Sequence, residues 1–310
     1  MSNNKGNILV VGSIGIDMIF SVLNSIKDSI HIKNGILQKQ NLMFTANDKK
    51  EYFGGTGGNI SYGLGLLGAK PLLLSLAGKD FTVNYEKHLK NIGVDLRVYV
   101  NKFGFTATFY GITDAIGEQI GIWQPNSYGK IDSLNLTKNI SKDELKNISF
   151  AIFSPGTPKS ILKHLKEFKK YCGKDANAIF DPGQVSVYFK KEDLKKCLDL
   201  ADLLIANETE FSLIQKILGA NLKQYLILKK KNYIETKGAN GSEVYWDGEK
   251  IHVGIVKPKK IAEPTGAGDA YRAGLLYGLS KKLPIKDACL LGAKMASKSL
   301  EYHGCQEYKI

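Results

Sequence analysis

Near the carboxyl terminus, Glu263-Pro264-Thr265-Gly266-Ala267-Gly268-Asp269-Ala270-Tyr271 combines small side chains, an acid and the onset of a helical pattern. Small residues at a helix start let backbone N–H groups approach an anion, and the helix dipole favours negative charge there. An Asp in the first turn of that helix can reach a hydroxyl held beside the anion. Phosphoryl transfer needs both parts: charge stabilisation on the moving group and an acceptor oxygen held in line. The segment also fits an ordinary glycine-rich loop whose Asp complements the dipole, so alone it leaves both readings open.

A second glycine-rich run, Gly54-Gly55-Thr56-Gly57-Gly58-Asn59, also leads into a helix. Glycine permits close approach of a ligand to the backbone, and Asn59 carries both a donor and an acceptor. Just beyond it, Gly63-Leu64-Gly65-Leu66-Leu67-Gly68 imitates a dinucleotide fingerprint. Such a fingerprint must follow a buried strand, and residues 45–53 are too polar for one. These glycines are therefore read as helix-packing residues.

Asn207-Glu208-Thr209-Glu210 has the spacing of a capping box. The same residues could also place a carboxylate near a Mg²⁺ held mainly through water. Thr236-Lys237-Gly238-Ala239-Asn240-Gly241 is a glycine-rich turn before a strand. Asp17 follows the apolar run Ile8-Leu9-Val10-Val11 and Gly12, which puts an acid beyond the carboxyl end of a buried strand. Ligands of open α/β sheets bind at that edge.

The elements that must position these residues alternate regularly from about residue 150. Apolar runs 149–153, 178–180 and 203–205 each precede a turn and a helical pattern, and helices are expected at 159–171, 267–281 and 285–302. Such alternation predicts an α/β fold with a mainly parallel sheet covered on both faces. Residues 18–53 are irregular, and 106–113 with 119–123 read as a hairpin turning at Gly117. Both inserts are expected to form a small β appendage over the large sheet. Its open edge could pair with a second copy, predicting a homodimer.

The 310 residues are 43% hydrophobic and 24% charged, with nothing to suggest disorder beyond Met1 to Lys5. The 43 Lys and Arg against 30 Asp and Glu are spread along the chain without a nucleic-acid-binding motif, so the excess reads as a solvated surface. Four cysteines lack a CxxC pair or metal-ligand spacing, which fits a cytoplasmic location. No apolar run suits a membrane span and no signal-peptide pattern is present.

Taken in order, these segments resemble the PfkB, or ribokinase-like, family of carbohydrate and nucleoside kinases over nearly the whole chain. The resemblance implies a ribokinase-like three-layer α/β/α domain over 1–310, with a β-sheet lid formed by about 14–53 and 96–124. It implies an ATP- and Mg²⁺-dependent phosphotransferase acting on a small molecule, with Asp269 as base and the amides of Gly266, Ala267, Gly268 and Asp269 as anion hole. Asp17, Gly55 and Asn59 would hold sugar hydroxyls, Asn207 and Glu210 would order Mg²⁺ and its waters, and Thr236, Lys237, Gly238 and Gly241 would line the nucleotide pocket.

The run 44–58 into Asn59, the stretch 269–274 and the tail Gly304-Cys305-Gln306 look closest to prokaryotic adenosine-kinase-like nucleoside kinases. The expected acceptor is then the 5′-hydroxyl of an adenosine-like nucleoside, with a ribokinase- or fructokinase-type sugar as the alternative. Phe105, Phe109, Tyr110 and Trp123 are candidates to stack on a base, although simple packing explains them equally. The family usually has Asp where this chain has Glu263, in a monovalent-cation site, so the resemblance leaves K⁺ dependence open.

Overall fold

The computed structural model describes residues 8–30, 32–33, 36–37 and 42–310. The expectation for Met1 to Lys5 lies outside the described residues. In chain order the strands are β1 (Ile8–Val11), β2 (Gly15–Val22), β3 (Ile32–Lys33), β4 (Ile36–Leu37), β5 (Ala46–Gly54), β6 (Leu72–Gly78), β7 (Asp95–Asn101) and β8 (Ala107–Thr113). They continue with β9 (Gln119–Gln124), β10 (Phe150–Phe153), β11 (Asn177–Phe180), β12 (Leu203–Asn207), β13 (Asn232–Thr236), β14 (Ser242–Trp246) and β15 (Glu249–Val253).

Nine strands form one sheet in the order β15-β14-β13-β12-β11-β10-β1-β6-β7. The pairs from β7 to β13 are parallel, and β14 and β15 add an antiparallel hairpin at one edge. Strands buried on both faces read as continuous apolar runs, which is why Ile8–Val11 and Leu72–Gly78 are legible without alternation. Leu9, Val11 and Phe153 enter one core with helices Pro158–Tyr171 and Lys191–Leu200. Ile8, Val10 and Ile152 enter a second with helices Thr56–Leu66, Ala267–Ser280 and Ile285–Ser299. The result is the expected three-layer α/β/α arrangement.

A second sheet of four strands, β5-β2-β8-β9, departs directly from β1 through Gly12–Ile14. One boundary differs from the sequence reading. The insert at 18–53 contributes β5 and most of β2 to the small sheet: polar β5 is exposed over most of its length and is held by backbone pairing to β2, so side-chain patterning does not reveal it. Residues 95–101, expected within the lid segment, are the edge strand of the large sheet. Leu96, Val98 and Val100 pack on its core while the intervening residues look outward, and that half-covered alternation imitates an appendage strand.

Helices Thr56–Leu66 and Ala267–Ser280 lie against each other on one face of the large sheet. A Cβ on Gly63 would stand 2.6 Å from that of Ala273, and one on Gly65 2.8 Å from the Ile92 carbonyl. Gly63 and Gly65 are thus packing residues of a helix interior, whereas Gly68, read from the sequence as a third, lies past the end of that helix at φ 80° with open space around it and serves the turn.

Candidate active site

Parallel strands deliver their carboxyl ends to one edge, and the site is assembled there. Asp181 follows β11, Asn207 ends β12 and Thr236 ends β13. Opposite them start the two glycine-led helices. Gly55 and Gly266 precede these helices with φ of 83° and 82°, a backbone region that side chains with a Cβ rarely adopt. A Cβ on Gly266 would also meet the Cys305 Sγ at 2.8 Å. The first backbone bond of helix Ala267–Ser280 runs from Ala270 N–H to Gly266 C=O at 2.9 Å. The amides before it belong to the set that a helix leaves without an intrahelical partner, and of these Ala267 N–H donates to the Pro264 carbonyl at 3.4 Å.

Between these elements lies a cavity of about 530 Å³. Asp17, Gly55, Asn59, Phe109 and Trp123 line it from one side. Gly266, Gly268, Asp269, Asn207 and Glu210 face it from the other. A neighbouring cavity of about 380 Å³, mostly apolar, takes Ala267 and Gly241 into its lining with Val256, Ala296 and Leu300. The two share Thr236, Gly238 and Gly268, so the glycine loop forms the partition between them.

Lys237 is not brought to either cavity. Its ammonium bonds the Glu243 carboxylate at 2.8 Å and stands 3.8 Å from Glu235, because its side chain runs along the β13–β14 hairpin toward that acidic pair. Of the four candidate stacking residues, only Phe109 and Trp123 face the large cavity. Tyr110 is one residue out of phase and lines an apolar groove on the opposite face of the small sheet. Phe105 precedes β8 and lies under the Lys79 ammonium, 4.8 Å from the ring centre.

The register explains the favourable pair. Asp17, Phe109 and Trp123 are direct cross-strand neighbours on β2, β8 and β9, so all three side chains project from one face. The paired glycines Gly111 and Gly121 leave a slot for the Phe109 ring: a Cβ on Gly121 would lie 2.5 Å from its edge.

Burial raises the Asp269 carboxyl to about 6, opposed by the Arg272 charge and by the Asn59 amide, which donates to Oδ2 at 2.8 Å. Burial, then the charges of Glu263 and Asp269, push Asp17 up to about 7. Burial and Asp181 raise Glu210. The capping box seen in the sequence is formed, Asn207 Oδ1 accepting from the Glu210 N–H and the Glu210 carboxylate accepting from the Asn207 N–H.

Two partners were not identified from sequence. Arg272 grips Asp181 through two bonds of 2.6 Å and donates to the Gly268 carbonyl at 3.0 Å. The signals are the one cation of helix Ala267–Ser280 and the acid of Asp181-Pro182-Gly183 at a strand end, but their contact spans 91 positions. Gln306, in the tail, reaches Asn59 across 247 positions.

The Asp17 carboxyl makes a prediction that needs no ligand. Between pH 3.8 and about 7 the folded protein holds a proton that the unfolded chain has released, so this group's contribution to stability falls as pH rises through that window. Asp17→Asn removes the burden. Its Tm is expected to exceed wild type by roughly 2–8 °C at pH 8, shrinking toward zero near pH 4. A gap that is the same at both pH values would contradict the assignment.

Helix-borne acid, glycine loop and cross-strand row at the carboxyl edge of this sheet define a ribokinase-like phosphotransferase. The chain belongs to the pfkB family of carbohydrate kinases, whose family model matches residues 5–309. It is 29% identical over 315 residues to a nucleoside kinase of Methanocaldococcus jannaschii, covering 99% of this chain and 94% of that protein. The crystal structure of that archaeal nucleoside kinase superposes with a TM-score of 0.85 at 28% identity, over 98% of this chain and 95% of the other. The Burkholderia thailandensis nucleoside kinase in complex with inosine gives 0.81 at 25% identity, over 97% and 93%. Among the described residues no helix is long and apolar enough to cross a membrane.

Proposed function

We propose that this kinase transfers the γ-phosphoryl group of ATP to the 5′-hydroxyl of a nucleoside, with an adenosine-like purine nucleoside as acceptor. The observation that carries the reading is the Asp17–Phe109–Trp123 row facing Asn59 and Asp269 across one cavity. A carboxylate accepts from a ribose diol, and two aromatic faces suit a planar base. The nucleoside kinases among its relatives support the same acceptor class.

In this reading Asp17, Gly55 and Asn59 hold the ribose while Asp269 takes the proton from the attacking hydroxyl. The amides of Gly266, Ala267, Gly268 and Asp269 meet the charge of the moving phosphoryl, where donors fixed in advance act most strongly. The adenine of ATP occupies the smaller cavity, past Thr236, Gly238 and Gly241. The small sheet acts as a lid, since Trp123 is still 43% exposed and has surface to bury on closure, excluding water from the transfer.

Among the described residues no group of three acidic, His or Cys side chains would hold a bare metal ion. Asn207 and Glu210 fit a Mg²⁺ that keeps its waters and phosphate ligands, the ion supplying charge neutralisation of the phosphates. Glu263 is less suited to a monovalent ion: its carboxylate accepts from the Gly304 N–H at 3.0 Å and stands 4.0 Å from His303. No step is assigned to K⁺.

The test is ADP release with Mg·ATP against adenosine, inosine, guanosine, cytidine, ribose and fructose, with and without K⁺. Turnover on nucleosides, unchanged by K⁺, is expected. Turnover on free sugars alone would retain the phosphoryl transfer and overturn the acceptor.

A further inference from the structure

We propose that Gln306 is a positioning residue: its amide fixes which end of the Asn59 side chain faces Asp269. The inference rests on the reading of Asp269 as the base, and its grounds are the donor and acceptor roles along one buried chain of contacts.

An Asn amide has one donating and one accepting end, and turning it over exchanges them with little change of shape. Near Asp269 the exchange matters, because an ionised carboxylate can only accept. The correct end is selected from the far side. The backbone carbonyl of Gly54 can only accept, so the Tyr85 hydroxyl, 2.6 Å away, donates to it. That hydroxyl then accepts from the Gln306 Nε2, which turns the Gln306 NH₂ group inward. The same NH₂ donates to Asn59 Oδ1 at 2.9 Å, leaving Asn59 Nδ2 to donate to Asp269 Oδ2 at 2.8 Å. Gly54 thus sets the polarity of three successive groups, Tyr85, Gln306 and Asn59. Reversing the chain would strip the Gly54 carbonyl of this donor and turn an acceptor toward the carboxylate.

Tyr85, Gln306 and Asn59 are 1%, 2% and 6% exposed, so bulk water does not substitute for a missing link. The other groups around Asp269 are titratable side chains that have no donor and acceptor ends to exchange. Arg272 lies on its own helix, with Asp181 after β11 and Glu210 on helix Glu208–Leu218. Asp17 on β2, Tyr85, and Cys305 and Tyr308 in the tail also interact with it, and Glu263 before the glycine loop acts on Asp17 and Cys305. Arg272 and the Asn59 amide favour the ionised base, whereas burial, Asp181 and Glu210 oppose it. Of these, the Asn59 bond is the one whose sign depends on a side-chain flip.

The experiment titrates Asp269 in the free protein by carboxyl ¹³C NMR, with its resonance assigned by loss in Asp269→Asn. In Gln306→Leu, which keeps approximate length and removes the donor, proton affinity at Asp269 is expected to rise about tenfold, one pH unit. Tyr85→Phe removes the relay hydroxyl, keeps the ring and should shift the titration the same way, which covers a Leu variant that fails to fold. In an Asn59→Ala background neither change should move it further. An unchanged titration in both folded variants, or equal shifts with and without Asn59, would overturn the proposal. Failure of the base reading is separate: it would show as near wild-type kcat in Asp269→Asn, whatever the Gln306 variants do.

Discussion

Asp269→Asn is expected to lower kcat by about 10²–10⁴-fold while leaving the KM for ATP within a factor of about two, as loss of a general base acts in the transition state. The substitution preserves shape, so the glycine loop and its amides stay in place. It also mimics the protonated acid, the form favoured by burial. Its Tm at pH 8 should therefore be no lower than that of wild type, which separates lost chemistry from lost structure. In the wild-type enzyme the base must be ionised, so kcat/KM should fall about tenfold per pH unit below about 6. Steady-state rates from pH 5 to 8 check both statements. A variant with near wild-type kcat, or one with the same acid limb, would remove Asp269 from the proposed role.

Arg272→Met is expected to have the largest effect on the fold, a loss of about 3–5 kcal/mol, because it strands a buried carboxylate. Asp181 is 1% exposed and its partner 7%, and the guanidinium meets it edge to edge through two bonds. Burial works against the Arg272 charge, and the Asp181 carboxylate outweighs it, so its pKa is raised. Removing both charges, in Arg272→Met with Asp181→Leu, should recover most of the stability, since an apolar pair of similar volume replaces a buried ion pair well. Activity should not recover with it. The Gly268 carbonyl would still lack its Arg272 donor, and Asp269 would lose the cation that favours its ionised form. Urea unfolding and kcat measured on the single and double variants test the separation. Recovery of both together would reduce Arg272 to a structural residue. Arg272→Lys is not a neutral control, because one ammonium cannot reproduce the two-bond grip and the contact to Gly268 at once.

Much of the large sheet was legible because strands buried on both faces must be apolar throughout, as in Ile8–Val11 and Ala178–Phe180. The two carboxyl-terminal helices were found within a few residues of their ends, with Pro284 before the second. The small sheet was harder. The polar sequence of β5 carries no periodic signal, since its place is fixed by backbone bonds to β2. Similarly, alternation alone does not say which sheet a half-covered strand such as β7 will join.

What the sequence by itself determined was local: glycines before two helices, Asp269 in the first turn of one, Asn207 and Glu210 in a capping box, and a hairpin at Gly117. Each depends on backbone geometry within a few residues, which composition and spacing encode directly. Only the tertiary structure decided which side chains share a cavity. It turned Phe109 and Trp123 inward and Tyr110 outward, drew Lys237 away to Glu243, and closed Arg272 on Asp181 and Gln306 on Asn59. Those outcomes depend on sheet register and on contacts between distant segments, where a shift of one residue exchanges the two faces of a strand.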